Sequence, residues 1–132
     1  MAPRVHFDPG GATGVARITL ANPTKLNALS VSMWRELRAQ FFALQALPGK
    51  VRVVIVAGEG VDFAAGGDIE EFAGFRFDKH TLRRFHEDEV LPALQAMLDC
   101  ELPLLAQISG ACIGGGLEIA ACCDIRIAGA SS

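Results

Sequence analysis

Apolar and polar residues alternate from Val15 to Leu20, so that Ala16, Ile18 and Leu20 can face a core while Arg17 and Thr19 face water. A period of two predicts a half-buried strand. Asp8-Pro9-Gly10-Gly11 before it reads as a hairpin turn, and Asn22-Pro23 after it stops the strand. The period then lengthens. Met33, Leu37, Phe41 and Leu44 recur on one helical face. Ser30 or Ser32 can cap that helix, because a serine oxygen accepts a free N–H of the first turn. Pro48-Gly49 ends it. Val51 to Ala57 is a continuous valine-rich run, which predicts a strand covered on both faces, as in a parallel sheet. Strand, helix and buried strand in that order make a right-handed crossover unit.

The pattern is looser beyond Gly58. A loop runs to Gly67, and Asp68 to Phe72 predicts a short helical turn. Phe75 to Asp78 fits no template. Thr81 to Leu98 predicts a helix with Leu82, Phe85, Leu94 and Met97 as its apolar members, and Pro92 predicts a kink or a division into two helices. Leu104 to Ile108 reads as another apolar strand. Gly114-Gly115-Gly116 leads into an apolar helix, Leu117 to Cys122, expected to be almost wholly buried. Asp124 to Ala128 returns as a buried strand. Strands alternating with helices over 132 residues predict one α/β domain, with no internal repeat and no low-complexity linker.

Composition narrows the partners. Hydrophobic residues are 51% of the chain and charged residues 20%, a balance that supports a packed core. The net charge of -3 leaves no basic surplus for a nucleic-acid backbone. Arg83-Arg84 is followed by His86-Glu87-Asp88-Glu89, a mixed-charge solvated helix face. Met1 to Gly10 lacks the apolar stretch of an export signal, and no run approaches the roughly 18 apolar residues of a membrane span. A cytoplasmic protein without a membrane partner is expected. Cys100, Cys112, Cys122 and Cys123 show no paired metal-ligand spacing and read as reduced, mostly buried thiols. His6, His80 and His86 form no metal site either.

Chemistry concentrates at two turns, Ala65-Gly66-Gly67-Asp68 and Gly114-Gly115-Gly116. Both follow an apolar strand and precede a helix. Glycine there permits positive φ and close approach of a ligand to the backbone. The first N–H groups of the helix lack intrahelical partners and favour an oxygen gaining negative charge. Tight packing alone also explains such turns. The consecutive glycines do not fit the spaced dinucleotide fingerprint, and neither a phosphate-cradling Gly-Lys-Ser/Thr nor a Gly-x-Ser-x-Gly elbow is present. Glu118 follows the second turn, amid Leu117, Ile119, Ala120 and Ala121. Burial would raise its pKa and make it a proton carrier. Helix capping, or pairing with a buried basic residue, explains it equally well.

Three stretches share a wider pattern: Leu26-Asn27-Ala28-Leu29, Val51 to Gly58 and Phe63-Ala64-Ala65-Gly66-Gly67-Asp68-Ile69. Leu102-Pro103, Ser109 to Glu118 and Cys123 to Ala128 continue it. In order and spacing the chain resembles the N-terminal half of the enoyl-CoA hydratase/isomerase (crotonase) family. The resemblance implies a spiral of ββα turns, incomplete over residues 1–132, and assembly as a homotrimer or hexamer. It implies an acyl-CoA thioester substrate, with coenzyme A as part of that substrate and no separate cofactor. By the same resemblance Gly67 and Gly115 supply the two N–H donors of an oxyanion hole. Lys25, Leu26, Ala65, Asp68 and Ile69 line the coenzyme A site, and Glu118 matches the first catalytic glutamate of the hydratases. Gly67 stands where alanine is common, a change that a backbone donor tolerates. The hydratases' second glutamate lies beyond the matched stretch, so the chain is expected to be part of a longer domain. Hydration of a 2-enoyl-CoA is the leading activity. Isomerisation, hydrolysis, decarboxylation, dehalogenation and non-catalytic acyl-CoA binding are the alternatives.

Overall fold

The alternation at 15–20 produces a strand. In the computed structural model, which describes residues 2–46, 49–72 and 78–132, β2 (Val15–Ala21) buries Ala16, Ile18 and Leu20 and leaves Arg17 and Thr19 half-buried. The hairpin turn joins it to β1 (Arg4–Asp8), a strand that the sequence reading did not include. The two run antiparallel, with Val5 opposite Leu20 and Phe7 opposite Ile18. Gly10 at φ 82 is required in this turn, since a Cβ there would lie 2.1 Å from the Val15 carbonyl oxygen.

Helix α1 (Val31–Gln45) starts where Ser30 Oγ accepts the Met33 N–H at 3.2 Å, so Ser30 is the cap. Met33, Trp34, Leu37, Phe41 and Leu44 form its buried face. The helix ends at Gln45; Leu47 and Pro48 lie outside the described residues. The chain then enters β3 (Val53–Gly58), which pairs parallel with β2, and later β4 (Leu104–Ile108) and β5 (Ile125–Ala128). The sheet order is β1-β2-β3-β4-β5, parallel from β2 onward.

Register aligns Ala16, Val54 and Leu104 in one row and Ile18, Val56 and Ala106 in the next. All six join the core beneath α1 and α4 (Leu91–Leu98). Each fully buried Leu or Ile contributes about 1.5–3 kcal/mol relative to exposure. The opposite face is less covered than a doubly packed sheet requires. Val53, Ile55 and Leu105 are half-buried, and all four residues of β5 are exposed. Continuous apolarity therefore overstated the covering of β3, and the buried strand expected at 124–128 is an exposed edge.

Between Gly58 and β4 the chain makes α2 (Ile69–Phe72), then α3 (Lys79–Phe85), capped by the Asp78 carboxylate, which accepts the His80 and Thr81 N–H groups. Residues 73–77 lie outside the described residues, so most of the unplaced Phe75 to Asp78 stretch is not described. Pro92 does divide the long helix. A π-helical turn at His86–Val90 separates α3 from α4, and the Leu91 N–H donates to the His86 carbonyl five residues back. Proline has no N–H to continue the ladder, and the widened turn precedes it. Glu89 in this turn holds α1 through a two-pronged ion pair with Arg35 at 2.7–3.1 Å.

Candidate active site

The two glycine turns hang from a second, short ladder outside the main sheet. Residues 63–67 lie between residues 26–29 and residues 111–113, with parallel bridges at Leu29–Gly67 and Ala64–Cys112. On one side the Ala65 N–H donates to Leu26 O, the Leu29 N–H to Gly66 O and the Asp68 N–H to Leu29 O. On the other, the Ala64 N–H donates to Ala111 O and the Ile113 N–H to Ala64 O. This ladder places the turns face to face. A Cβ built on Gly114 would sit 3.6 Å from Gly66 Cα, and one on Gly66 would sit 3.5 Å from Ile113 O.

Glycine is needed here for two reasons. Gly66 and Gly114 have φ of 97° and 53°, which other residues rarely adopt. Gly115 and Gly116 open helix α5 (Gly115–Ala121) and are packed too closely for a side chain. A Cβ at Gly115 would approach Leu29 Cδ1 and Trp34 Cζ2 to 2.9 Å, and one at Gly116 would lie 2.5 Å from Ala64 O. Gly67 is outside the positive-φ set, so its backbone conformation admits alanine.

Among the described residues, the Gly67 and Gly115 N–H groups donate to no protein acceptor. Their neighbours Ala65, Asp68, Gly116 and Glu118 all do. The adjacent Gly66 and Gly114 N–H groups are likewise unbonded, so each turn presents two consecutive free donors flanked by bonded ones.

Beside the first turn lies a groove of about 330 Å³. Lys25, Leu26, Ala65, Asp68 and Ile69, the five residues expected around coenzyme A, all line it together with Gly67. Leu26 and Ile69 are 58% and 77% exposed, an apolar rim. Asp68 is buried, and its carboxylate accepts the Lys25 ammonium at 3.2 Å and the Glu70 N–H at 3.1 Å. Lys25 also reaches Glu70 at 3.0 Å. The Glu70 and Asp68 hydrogen bonds raise the lysine pKa, so its charge persists well above neutrality.

Sequence reasoning missed the scaffold of this groove. The buried polar residues Asn22, Asn27 and Ser30 flank it, behind the expected Asp68. Thr24, Leu26 and Asn27 adopt φ of 69°, 52° and 57°. Asn22-Pro23 had signalled only a strand end. An Asx turn signal was the available clue, since asparagine tolerates the left-handed region.

Glu118 differs from expectation. Helix α5 buries Gly116, Ile119 and Ala120, but Leu117 and Glu118 are exposed. The helix is covered on one face only, and Glu118 lines no part of the groove. The burial argument for a proton carrier is therefore not met within these residues. The four cysteines are free thiols. Only Cys123 among them is buried, and burial pushes its pKa up to about 12. A larger cavity of about 550 Å³ lies between the end of α1 and the α4–β4 connection, lined by Leu44, Asp99 and Cys100 among others, and holds none of the expected site residues. No helix among the described residues is long and apolar enough to cross a membrane.

Comparison with known proteins places this geometry. A protein of Rhodobacter capsulatus named probable enoyl-CoA hydratase is 37% identical over 119 residues, covering 90% of this chain and 44% of that protein. A protein of the same name from Rhizobium meliloti is 38% identical, over 86% of this chain and 42% of its own. The chain thus spans less than half the length of either relative. The crystal structure of an enoyl-CoA hydratase/carnithine racemase from Magnetospirillum magneticum superposes with a TM-score of 0.88 at 38% identity, covering 96% of this chain and 46% of that one. The family model described as enoyl-CoA hydratase/isomerase matches residues 10–132, and the chain belongs to that family.

Proposed function

We propose that this chain binds an acyl-CoA thioester and polarises its carbonyl between the Gly67 and Gly115 N–H groups. The observation that carries this reading is the pair of unpartnered N–H donors on two turns that face each other. An oxyanion forming there replaces no protein hydrogen bond, so the donors act on developing charge without reorganising. By analogy with other oxyanion holes, each donor is worth about 3 kcal/mol of transition-state stabilisation. The groove at Lys25, Leu26, Ala65, Asp68 and Ile69 takes the coenzyme A portion, and no separate cofactor enters.

The reaction is hydration of a 2-enoyl-CoA. Water adds its oxygen to the β-carbon, the electron pair of the double bond moves toward the thioester, and the α-carbon takes a proton. Glu118, with a second acid–base group outside this stretch, handles the water and the proton. The protein acts in the cytoplasm as a trimer or hexamer. Mixing the purified protein with crotonyl-CoA and following loss of the conjugated thioester absorbance tests the activity. Turnover that survives Glu118→Gln unchanged would remove Glu118 from the mechanism. The exposure of Glu118 favours a second reading, in which the same donors serve another reaction of the family or acyl-CoA binding alone. Coenzyme A binding without crotonyl-CoA turnover selects it.

A further inference from the structure

The two donors ride on separate segments, and one pair of side chains joins those segments. Asn27 is 5% exposed and sits at φ 57° in the segment that supports the Gly67 turn. Its Oδ1 accepts the Asn22 N–H at 3.0 Å. Its Nδ2 donates to Glu59 O at 2.9 Å and Asp62 O at 2.8 Å. Asp62 in turn uses Oδ1 to accept the Ala111 N–H at 2.8 Å. Ala111 begins the segment that supports the Gly115 turn, since the Ile113 N–H donates to Ala64 O and the Gly116 N–H to Ile113 O. Gly110 makes the contact possible. It lies at φ 56°, and a Cβ there would fall 2.3 Å from Asp62 Oδ1 and 2.4 Å from Val61 O.

We propose that Asp62, held by Asn27, is a positioning residue that sets the separation of the Gly67 and Gly115 N–H donors. The proposal rests on the thioester reading above. Neither residue lines the groove, so neither contacts the coenzyme A portion. The backbone bonds of the short ladder fix which residues pair. They include the Phe63 N–H to Ser109 O at 2.8 Å and to Ala111 O at 3.0 Å, and they leave the Ala111 N–H to a side chain. The Asp62 carboxylate on that N–H, with the Asp62 backbone carbonyl held by Asn27, adds a side-chain tie across the ladder beside the backbone ones. Asp62→Ala leaves the Ala111 N–H without its acceptor and lets the second turn drift. Misplacement of reacting groups by about 1 Å costs on the order of a hundredfold in rate.

Acetoacetyl-CoA separates this role from general stability. Its β-keto thioester loses an α-proton to give an enolate with its own absorbance, which paired N–H donors stabilise at the carbonyl oxygen. Coenzyme A carries no thioester and reports the groove alone. In Asp62→Ala the enolate formed at saturating acetoacetyl-CoA is expected to fall about tenfold, while coenzyme A affinity stays within about twofold. Asp62→Asn is expected to retain the wild-type signal, because its amide oxygen still accepts the Ala111 N–H. Should Asp62→Ala not fold, Asn27→Asp is the second variant. It keeps the shape and the Asn22 contact, loses the donors to Glu59 and Asp62, and is expected to show the same split. A full enolate signal in the folded variant overturns the proposal. Equal losses in Asp62→Ala and Asp62→Asn, or a parallel loss of coenzyme A affinity, overturn it too. Coenzyme A binding by the wild type with no enolate signal instead sinks the thioester reading and takes this proposal with it.

Discussion

Gly116→Ala tests whether helix α5 is seated as described. Gly116 is the second residue of α5, it is buried, and its N–H donates to Ile113 O at 2.9 Å. Alanine keeps that bond and improves helix propensity by up to about 1 kcal/mol. The sign of the net effect therefore rests on the added methyl. It would lie 2.5 Å from Ala64 O and 2.8 Å from Ala64 Cβ, so α5 and Ala64 must part by about 0.5 Å to reach even 3.0 Å. Ala64 cannot yield, because its N–H and its carbonyl are both bonded at 3.0 Å and it is fully buried. Overpacking of this kind costs about 1–3 kcal/mol. After the propensity gain we expect a net loss of about 1–2 kcal/mol, which lowers the melting temperature by about 3–10 °C. Trp34 is the single tryptophan, is 2% exposed and packs beside Gly115, so its emission reports the movement directly. Denaturant titration and Trp34 fluorescence are the assays. Gly115→Ala meets side-chain atoms of Leu29 and Trp34 rather than backbone, so it should destabilise less and shift the emission more. Ala64→Gly in the Gly116→Ala background removes the 2.8 Å contact but leaves the 2.5 Å one, so rescue should be partial. A Gly116→Ala protein as stable as wild type, with unchanged Trp34 emission, would refute this packing.

Four further outcomes are expected. Thr24 is exposed at φ 69°, a conformation that costs a β-branched residue about 1–2 kcal/mol, so Thr24→Gly should raise stability by about 0.5–1 kcal/mol in urea titration. Cys123 keeps its proton up to about pH 12 when folded but ionises near pH 8.5 when unfolded. The unfolded state therefore releases the proton first, stability falls as pH rises above about 8.5, and Cys123→Ala should flatten that fall in denaturant titrations at rising pH. At pH 8, mass spectrometry after thiol alkylation should find Cys123 the last of the four cysteines to react. Arg35→Ala and Glu89→Gln should show a favourable coupling in a double-mutant cycle, and that coupling should shrink in high salt, because Arg35 is largely exposed.

The main sheet was largely legible because its signals are local. Alternation found β2, the 3.6 period found α1, and Leu104–Ile108 was read at its observed bounds. The miss at β1 has a simple cause. Arg4–Asp8 alternates like β2, with Val5 and Phe7 inward, but five residues near a terminus carry little weight until a partner strand is known. The site divides in the same way. The residues expected around coenzyme A were named from motif likeness, and the structure gathers those five residues into one groove. The ladder that sets the turns face to face was not legible. Its pairings join residues 26–29, 63–67 and 111–113, which share no periodicity and are held by isolated bridges and by Asn27 and Asp62.

Glu118 shows where hydrophobic pattern stops being informative. The run Leu117 to Cys122 is apolar enough to predict a buried helix, and Ile125 and Ile127 extend the same tendency into β5. Yet Ile113, Leu117, Ile125 and Ile127 are each more than half exposed, while Ile119 and Ala120 on the opposite side of α5 are buried. Apolar composition states that wetting a surface is unfavourable, by about 25 cal/mol for each Å². It does not state which surface covers it. The environment of Glu118 depends on that cover, because a carboxylate changes its proton affinity through desolvation by whatever packs around it. The Gly67 and Gly115 N–H groups proposed as oxyanion donors need no such cover. Their geometry comes from backbone turns, whereas the proposed acid–base role of Glu118 rests on a side chain that is exposed among the described residues. That difference in physical origin is why Gly67 and Gly115 carry the functional reading more firmly than Glu118.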